Sequence, residues 1–163
     1  MLKAVLFDLG DTLIYERVDD DYRLDEMTLH ARPHARQVLE RLSQSYKIGL
    51  VTDTETSSEA SVREALQQLG LEKFFSAVVT STDLGVTKPH PDIFLEALRQ
   101  LEVSPEEAIM VGNDPTRDLK GAKQLGIPTI LYRPTSYYQT GAEREADYHV
   151  DSLEEILSIV TNL

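Results

Sequence analysis

A doubly wound α/β fold, with a mostly parallel sheet covered by helices on both faces, is predicted by three features. Short apolar runs alternate with segments of helical period, the runs are continuous rather than alternating, and their connections are short. A strand with one wet face alternates apolar and polar residues, so unbroken apolar runs place protein on both sides of the sheet. The runs are Ala4-Val5-Leu6-Phe7, Ile48-Gly49-Leu50-Val51, Ala77-Val78-Val79, Ala108-Ile109-Met110-Val111 and Ile127-Pro128-Thr129-Ile130-Leu131. Apolar residues at i, i+3, i+4 and i+7 predict helices on Ala35/Val38/Leu39/Leu42, Val62/Ala65/Leu66/Leu69, Phe94/Ala97/Leu98/Leu101 and Leu153/Ile156/Leu157/Val160. Thr56 with Glu59 and Ser152 with Glu155 have capping-box spacing, and Ser104-Pro105-Glu106-Glu107 puts proline at a first helical position. Gly70 and Gly126 stand where helices should stop.

The 163 residues fit one domain spanning 1–163, long enough for a full core. Sixteen Lys and Arg against 28 Asp and Glu give a net charge of −12, which repels phosphate backbones and anionic lipid, so neither nucleic acid nor membrane is an expected partner. The absence of cysteine excludes disulfides, thiolate metal sites and a cysteine nucleophile. No apolar stretch approaches the ~18 residues that span a bilayer. Lys3 is followed by only four apolar residues before Asp8, unlike a secretory leader. A cytoplasmic location is the expectation.

Ligands of such sheets bind at the carboxyl ends of the strands, and polar residues stand at four of these ends. Asp8 ends the first run and is followed by Leu9-Gly10-Asp11-Thr12; it reads as a nucleophile, a metal ligand or simply a turn. Thr52-Asp53-Thr54 follows the second run, with hydroxyls suited to an anion or to a helix cap. Lys88 lies ahead of a helix opened by Pro91 and could neutralise a phosphate or stay in water. Gly112-Asn113-Asp114-Pro115-Thr116-Arg117-Asp118 follows the fourth run. Its amide and two carboxylates suit Mg²⁺, although Asp near a helix N-terminus is favourable on its own.

Together these segments resemble the haloacid dehalogenase superfamily of aspartate-nucleophile phosphohydrolases over almost the whole chain. Lys88-Pro-His-Pro-Asp-Ile-Phe and Val111-Gly-Asn-Asp-Pro-Thr-Arg-Asp-Leu-Lys-Gly-Ala are similar to its small-molecule phosphatases. The resemblance implies a Rossmann-like core and a phosphorylated substrate. Asp8 would be the nucleophile, Thr52 would hydrogen-bond a phosphoryl oxygen, and Lys88 would offset the shared negative charge. Mg²⁺ would lie between Asp8, the carbonyl of Gly10, and the group Asn113, Asp114 and Asp118, with Asp114 a direct ligand and Asp118 ligating or orienting. Neutralisation and positioning are what phosphoryl transfer mainly requires.

Two positions depart from the family pattern. Gly10 stands where a second aspartate usually acts as general acid and base, a loss of typically 10²- to 10⁴-fold that matters least for stable leaving groups. Asp11 is the nearest substitute, though strand alternation points it elsewhere. Asn113 replaces an acid and should weaken Mg²⁺ binding by one charge. Only about 20 residues separate Leu13 from the helix near His34, and one helix and one strand fill 53–87, so no cap domain is expected. The site should be open, suited to bulky substrates or to a lid from a second copy in a homo-oligomer.

Pro33 between His30 and His34 argues against a metal pair. Glu16, Asp19, Asp20, Asp21, Asp25 and Glu26 read as a solvated loop or a flap, and Tyr132, Tyr137 and Tyr138 as packing or an oligomer contact, with substrate stacking the alternative. The preferred function is a Mg²⁺-dependent phosphatase working through phospho-aspartate. The alternative is a weak or inactive relative that binds a phosphorylated ligand or a protein partner; halide removal ranks third.

Overall fold

The computed structural model describes residues 1–15, 23–133 and 145–163. Six parallel strands form one sheet: β1 (Ala4–Phe7), β2 (Lys47–Thr52), β3 (Ala77–Thr80), β4 (Ala108–Gly112), β5 (Thr129–Tyr132) and β6 (Tyr148–Val150). Their order is β3-β2-β1-β4-β5-β6. The chain moves outward from β1 through β2 to β3, then returns to β4 on the other side of β1. That reversal opens a crevice at the carboxyl ends of the central strands. The register sets Phe7 opposite Leu50 and Val111, so the residues after all three strands emerge side by side.

Both faces are buried, for the reason the apolar runs imply. Val5, Phe7, Ile48, Leu50, Ile109 and Val111 pack against α1 (Ala35–Leu42), α2 (Glu59–Gln68) and α6 (Glu155–Thr161). Ala4, Leu6, Val51, Ala108 and Met110 face the other layer, beneath α4 (Pro91–Leu101) and α5 (Lys120–Gln124). A four-residue helix, α3 (Ser81–Leu84), follows β3 directly. Gly70 and Gly126 sit at φ 68° and 80° after α2 and α5, the left-handed conformation that glycine adopts without strain.

Several expected boundaries move. Ser58, not Thr56, caps α2, its side chain accepting from the Ser61 amide. Ser104-Pro105 opens only a single 3₁₀ turn, Pro105–Glu107, because β4 begins at Ala108. β5 starts at Thr129, and the Ile127-Pro128 pair precedes it. Glu155 reaches back to the Ser152 amide at 2.8 Å, as its spacing predicts. The sixth strand was not expected. It is a three-residue edge strand with an exposed His149, held by Asp147, whose Oδ2 accepts from Thr129 N (2.9 Å) and Oγ1 (2.8 Å). Of the acidic stretch, Glu16, Asp19, Asp20 and Asp21 lie outside the described residues, as do Tyr137 and Tyr138. Tyr132 is core, 2% exposed. Among the described residues, no helix is long and apolar enough to cross a membrane.

Candidate active site

Asp8 continues the β1 ladder, its amide donating to the Val111 carbonyl at 3.0 Å, so its side chain is fixed by the sheet. It is 8% exposed and faces Lys88, which is 4% exposed. Lys88 Nζ donates to Asp8 Oδ1 and Asp118 Oδ1, both at 2.7 Å, and to the Val51 carbonyl at 3.0 Å. All three ammonium protons are therefore placed. Burial disfavours the charge on Lys88, but the two carboxylates outweigh it and raise its pKa above the ordinary lysine value. Burial and the neighbouring Asp8 charge push the Asp118 carboxyl up, against the pull of Lys88.

Each partner is delivered by its backbone. Asp53 Oδ1 accepts from the Lys88 amide at 2.9 Å, tying the end of β2 to the lysine loop. Asp118 lies in the wide turn Pro115–Leu119 and bends back over β4, where its Oδ2 accepts from the Asp114 amide at 3.0 Å. Gly112 permits this return, because a Cβ there would fall 2.6 Å from the Asp118 carboxyl carbon.

The second oxygen of Asp8 faces a different group. Thr12 Oγ1 donates to Asp8 Oδ2 at 3.2 Å and lies 3.3 Å from Asn113 Oδ1. The amide end of Asn113 sits 2.8 Å from Asp8 Oδ2 and 3.2 Å from the Gly10 carbonyl, and donates to both when its nitrogen is turned toward them. With its oxygen there instead, three hard oxygens meet. Adjacent oxygens around an octahedral Mg²⁺ with bonds of 2.0–2.1 Å lie roughly 2.9 Å apart, so the donor set fits such an ion. Its charge is low: among the described residues, no three His, Cys, Asp or Glu side chains converge on a common point.

The structure thus brings Asp8, Gly10, Lys88, Asn113 and Asp118 together, and Thr52 lines the same cavity. The Thr52 hydroxyl has only a 3.5 Å contact to the Asp53 carbonyl. Asp114 is placed elsewhere. It caps its turn, with Oδ1 accepting from the Thr116 and Arg117 amides (2.9 and 3.0 Å) and Oδ2 from Arg117 Nε (2.9 Å). Asp118 is the inward carboxylate of the pair, and it holds Lys88. Asp11 takes a left-handed conformation (φ 57°) and pairs with Arg32 at 2.8 Å, with Arg32 lying 4.2 Å from the Tyr15 ring centroid. His34 Nδ1 lies 3.2 Å from Glu154, away from this cluster. Sequence reasoning missed Thr12 and the positioning role of Asp53. The available signal for Thr12 was a hydroxyl four residues beyond a strand-end aspartate.

Asp8, Thr52 and Lys88 open into a cavity of about 430 Å³. Its lining includes the polar 52–57 loop, Ser81, Thr87 and Arg117, and the apolar or aromatic Leu9, Ile14, Tyr15, Leu24, Met27 and Leu29.

The fold is thus a doubly wound parallel sheet with a lysine-held strand-end carboxylate beside a set of hard oxygen donors. The haloacid dehalogenase-like hydrolase profile matches residues 12–132, and the chain belongs to that family as a phosphatase-type member. It is 30% identical to the glyceraldehyde 3-phosphate phosphatase of Methanocaldococcus jannaschii, over all of this chain and 71% of that one. The like-named protein of Pyrococcus furiosus is 37% identical over 78% of this chain; the match spans about half of that protein, 53%. A haloacid dehalogenase phosphatase structure from Thermococcus onnurineus superposes with a TM-score of 0.83, at 25% identity and 98% coverage of both chains.

Proposed function

We propose that the chain is a Mg²⁺-dependent phosphohydrolase acting on a phosphorylated small molecule through a phospho-aspartate on Asp8. The observation that carries this reading is Lys88, buried in the lining of the cavity and shared between Asp8 and Asp118. A carboxylate attacks a phosphate dianion only when their repulsion is cancelled, and Lys88 places a fixed positive charge at that contact. Asp8, the Gly10 carbonyl and Asn113 would hold Mg²⁺, with Asp118 acting on Lys88 and Asp114 on its turn. The ion would supply further charge neutralisation at the phosphoryl oxygens.

Asp8 attacks phosphorus, the bond to the leaving oxygen breaks, and that oxygen departs with its electron pair. Thr52 donates to a phosphoryl oxygen. Water then displaces Asp8, releasing inorganic phosphate and restoring the carboxylate. Gly10 has no side chain and Asp11 is engaged by Arg32, so neither position supplies the proton of a general acid to the leaving group. That same observation favours the second reading, a weak or inactive relative that retains a phosphorylated ligand.

The test is p-nitrophenyl phosphate hydrolysis with Mg²⁺, with EDTA, and in Asp8→Asn. Hydrolysis should need Mg²⁺ and vanish in the variant. Turnover that survives both treatments excludes Asp8 chemistry; binding without any turnover selects the second reading.

A further inference from the structure

We propose that the cavity beside Asp8 is a subsite for an aryl phosphate, a monoester whose single phosphoryl group sits on the hydroxyl of a flat, uncharged aromatic body. This rests on the phosphohydrolase reading above, and three separate observations lead to it.

The first is the shape and make-up of the cavity. Ile14, Tyr15, Leu24, Met27 and Leu29 are among the residues lining a space of about 430 Å³, within the range that holds small organic ligands and larger than a phosphate needs. These residues are held in place. Ile14 pairs with Ala31, the Tyr15 amide donates to the His30 carbonyl at 3.0 Å, and the Leu24 amide donates to Ser57 Oγ at 3.0 Å. Arg32 lies 4.2 Å from the Tyr15 ring centroid while paired to Asp11, which fixes the ring's back. Apolar residues held this way reward an apolar substrate body.

The second is charge. The cavity is lined by two cations, Lys88 and Arg117. Lys88 is shared by Asp8 and Asp118, while Arg117 pairs with Asp114 at 2.9 Å and lies 3.8 Å from Asp53. Among the described lining residues, no cation is left for a second phosphate or a carboxylate on the substrate. Asp53 and Glu55 line the same space and would repel one.

The third is chemical. With glycine at position 10 and Asp11 paired with Arg32 at 2.8 Å, neither of these two positions is set to protonate the departing oxygen. When Asp8 forms its bond to phosphorus, the electron pair of the breaking bond must stay on the leaving oxygen until water supplies a proton. An aryl oxygen delocalises that pair and an alkyl oxygen cannot. The net reaction consumes one water and yields a phenol and inorganic phosphate.

The test measures binding in the Asp8→Asn background, where the ester stays intact. Naphthyl phosphate, glycerol phosphate and phosphoglycerate are titrated by calorimetry in the presence of Mg²⁺. The naphthyl ester should bind about 10-fold or more tighter than the glycerol ester, a difference of about 1.4 kcal/mol, and phosphoglycerate should bind weakest. Met27→Ser, at a half-exposed position, should lower naphthyl affinity about 5-fold by removing part of the apolar wall. Tyr15→Ser is the second variant and should act in the same direction. Equal affinities, no binding of the naphthyl ester, or tightest binding of phosphoglycerate would overturn the proposal. Failure of the phosphohydrolase reading shows separately, as absence of turnover of every ester by the parent chain.

Discussion

At the scale of single residues, the sharpest contrast is between Asp114 and Asp118, four apart on one turn. Asp118 is buried against Lys88, whereas Asp114 spends both oxygens on Thr116 and Arg117. Asp114→Ala should therefore cost about 1 kcal/mol of stability as a lost cap, read by urea denaturation, and should leave Mg²⁺ binding in place. Burial opposes the ionised form of Asp114, but the bonds from Arg117 and Thr116 outweigh it and depress its pKa below 3.8. A depressed carboxylate stabilises above its unfolded pKa, and that contribution is lost as pH falls through the folded value. The gap between parent and Asp114→Ala should therefore be full at neutral pH and narrow in acid, below about pH 4. Asn113→Asp should tighten Mg²⁺ in calorimetric titration, since it adds a charge to the set formed with Asp8 and Gly10; unchanged affinity would remove residue 113 from the metal. Asp8 and Thr52 were legible as candidates because one follows β1 and the other ends β2. Lys88 stands beyond α3 and was legible from its place ahead of the Pro91 helix. Spacing alone could not say which carboxylate of the Asp114/Asp118 pair turns inward, because that depends on the wide turn at Pro115–Leu119 and on the space left by Gly112.

At the scale of elements, β6 shows where the sequence falls silent. Tyr148-His149-Val150 is short, and only Val150 is fully buried, so it lacks the continuous apolar run that marked the other five strands. What holds it is a polar clasp, in which Asp147 binds the Thr129 amide and hydroxyl and accepts from Lys123 at 3.2 Å. Asp147→Ala should loosen this edge locally. Hydrogen exchange should quicken at residues 148–150 while the amides of β1 and β4 keep their protection. Equal acceleration throughout the sheet would show that the clasp supports the whole fold. The helices were legible from their apolar period, whereas their first residues were not, because capping depends on which hydroxyl the preceding loop presents: Ser58, not Thr56, reaches the first turn of α2.

At the scale of the molecule, the net charge of −12 acts on every anionic substrate that approaches. The two cavity cations are already paired, so they offset little of that field. For an aryl phosphate, kcat/KM should rise as ionic strength increases from about 0.01 to 0.15 M, where the screening length shrinks from about 30 to about 8 Å. A fall over that range would mean that a local positive field at the cavity dominates. The layered sheet and its crevice were legible from composition and periodicity; the apolar part of the cavity lining was not, because it joins Ile14 and Tyr15 to the irregular 23–31 segment, whose path follows contacts such as Leu24 with Ser57.

Lys88 bonds to one residue 80 positions before it and another 30 positions after it. On a growing chain, Asp8 emerges long before either partner. At roughly 5–20 residues per second, on the order of ten seconds pass before Asp118 follows. Until Lys88 has emerged, 30 residues ahead of Asp118, the strand-end aspartate lacks this counter-charge and has no reason to leave water. Closing such long loops must be balanced by sheet pairing between β1, β2 and β4, the slow, non-local kind. The charged centre is thus a late product of folding, and a nascent or truncated chain that stops short of residue 118 carries Asp8 without the complete Asp8–Lys88–Asp118 cluster.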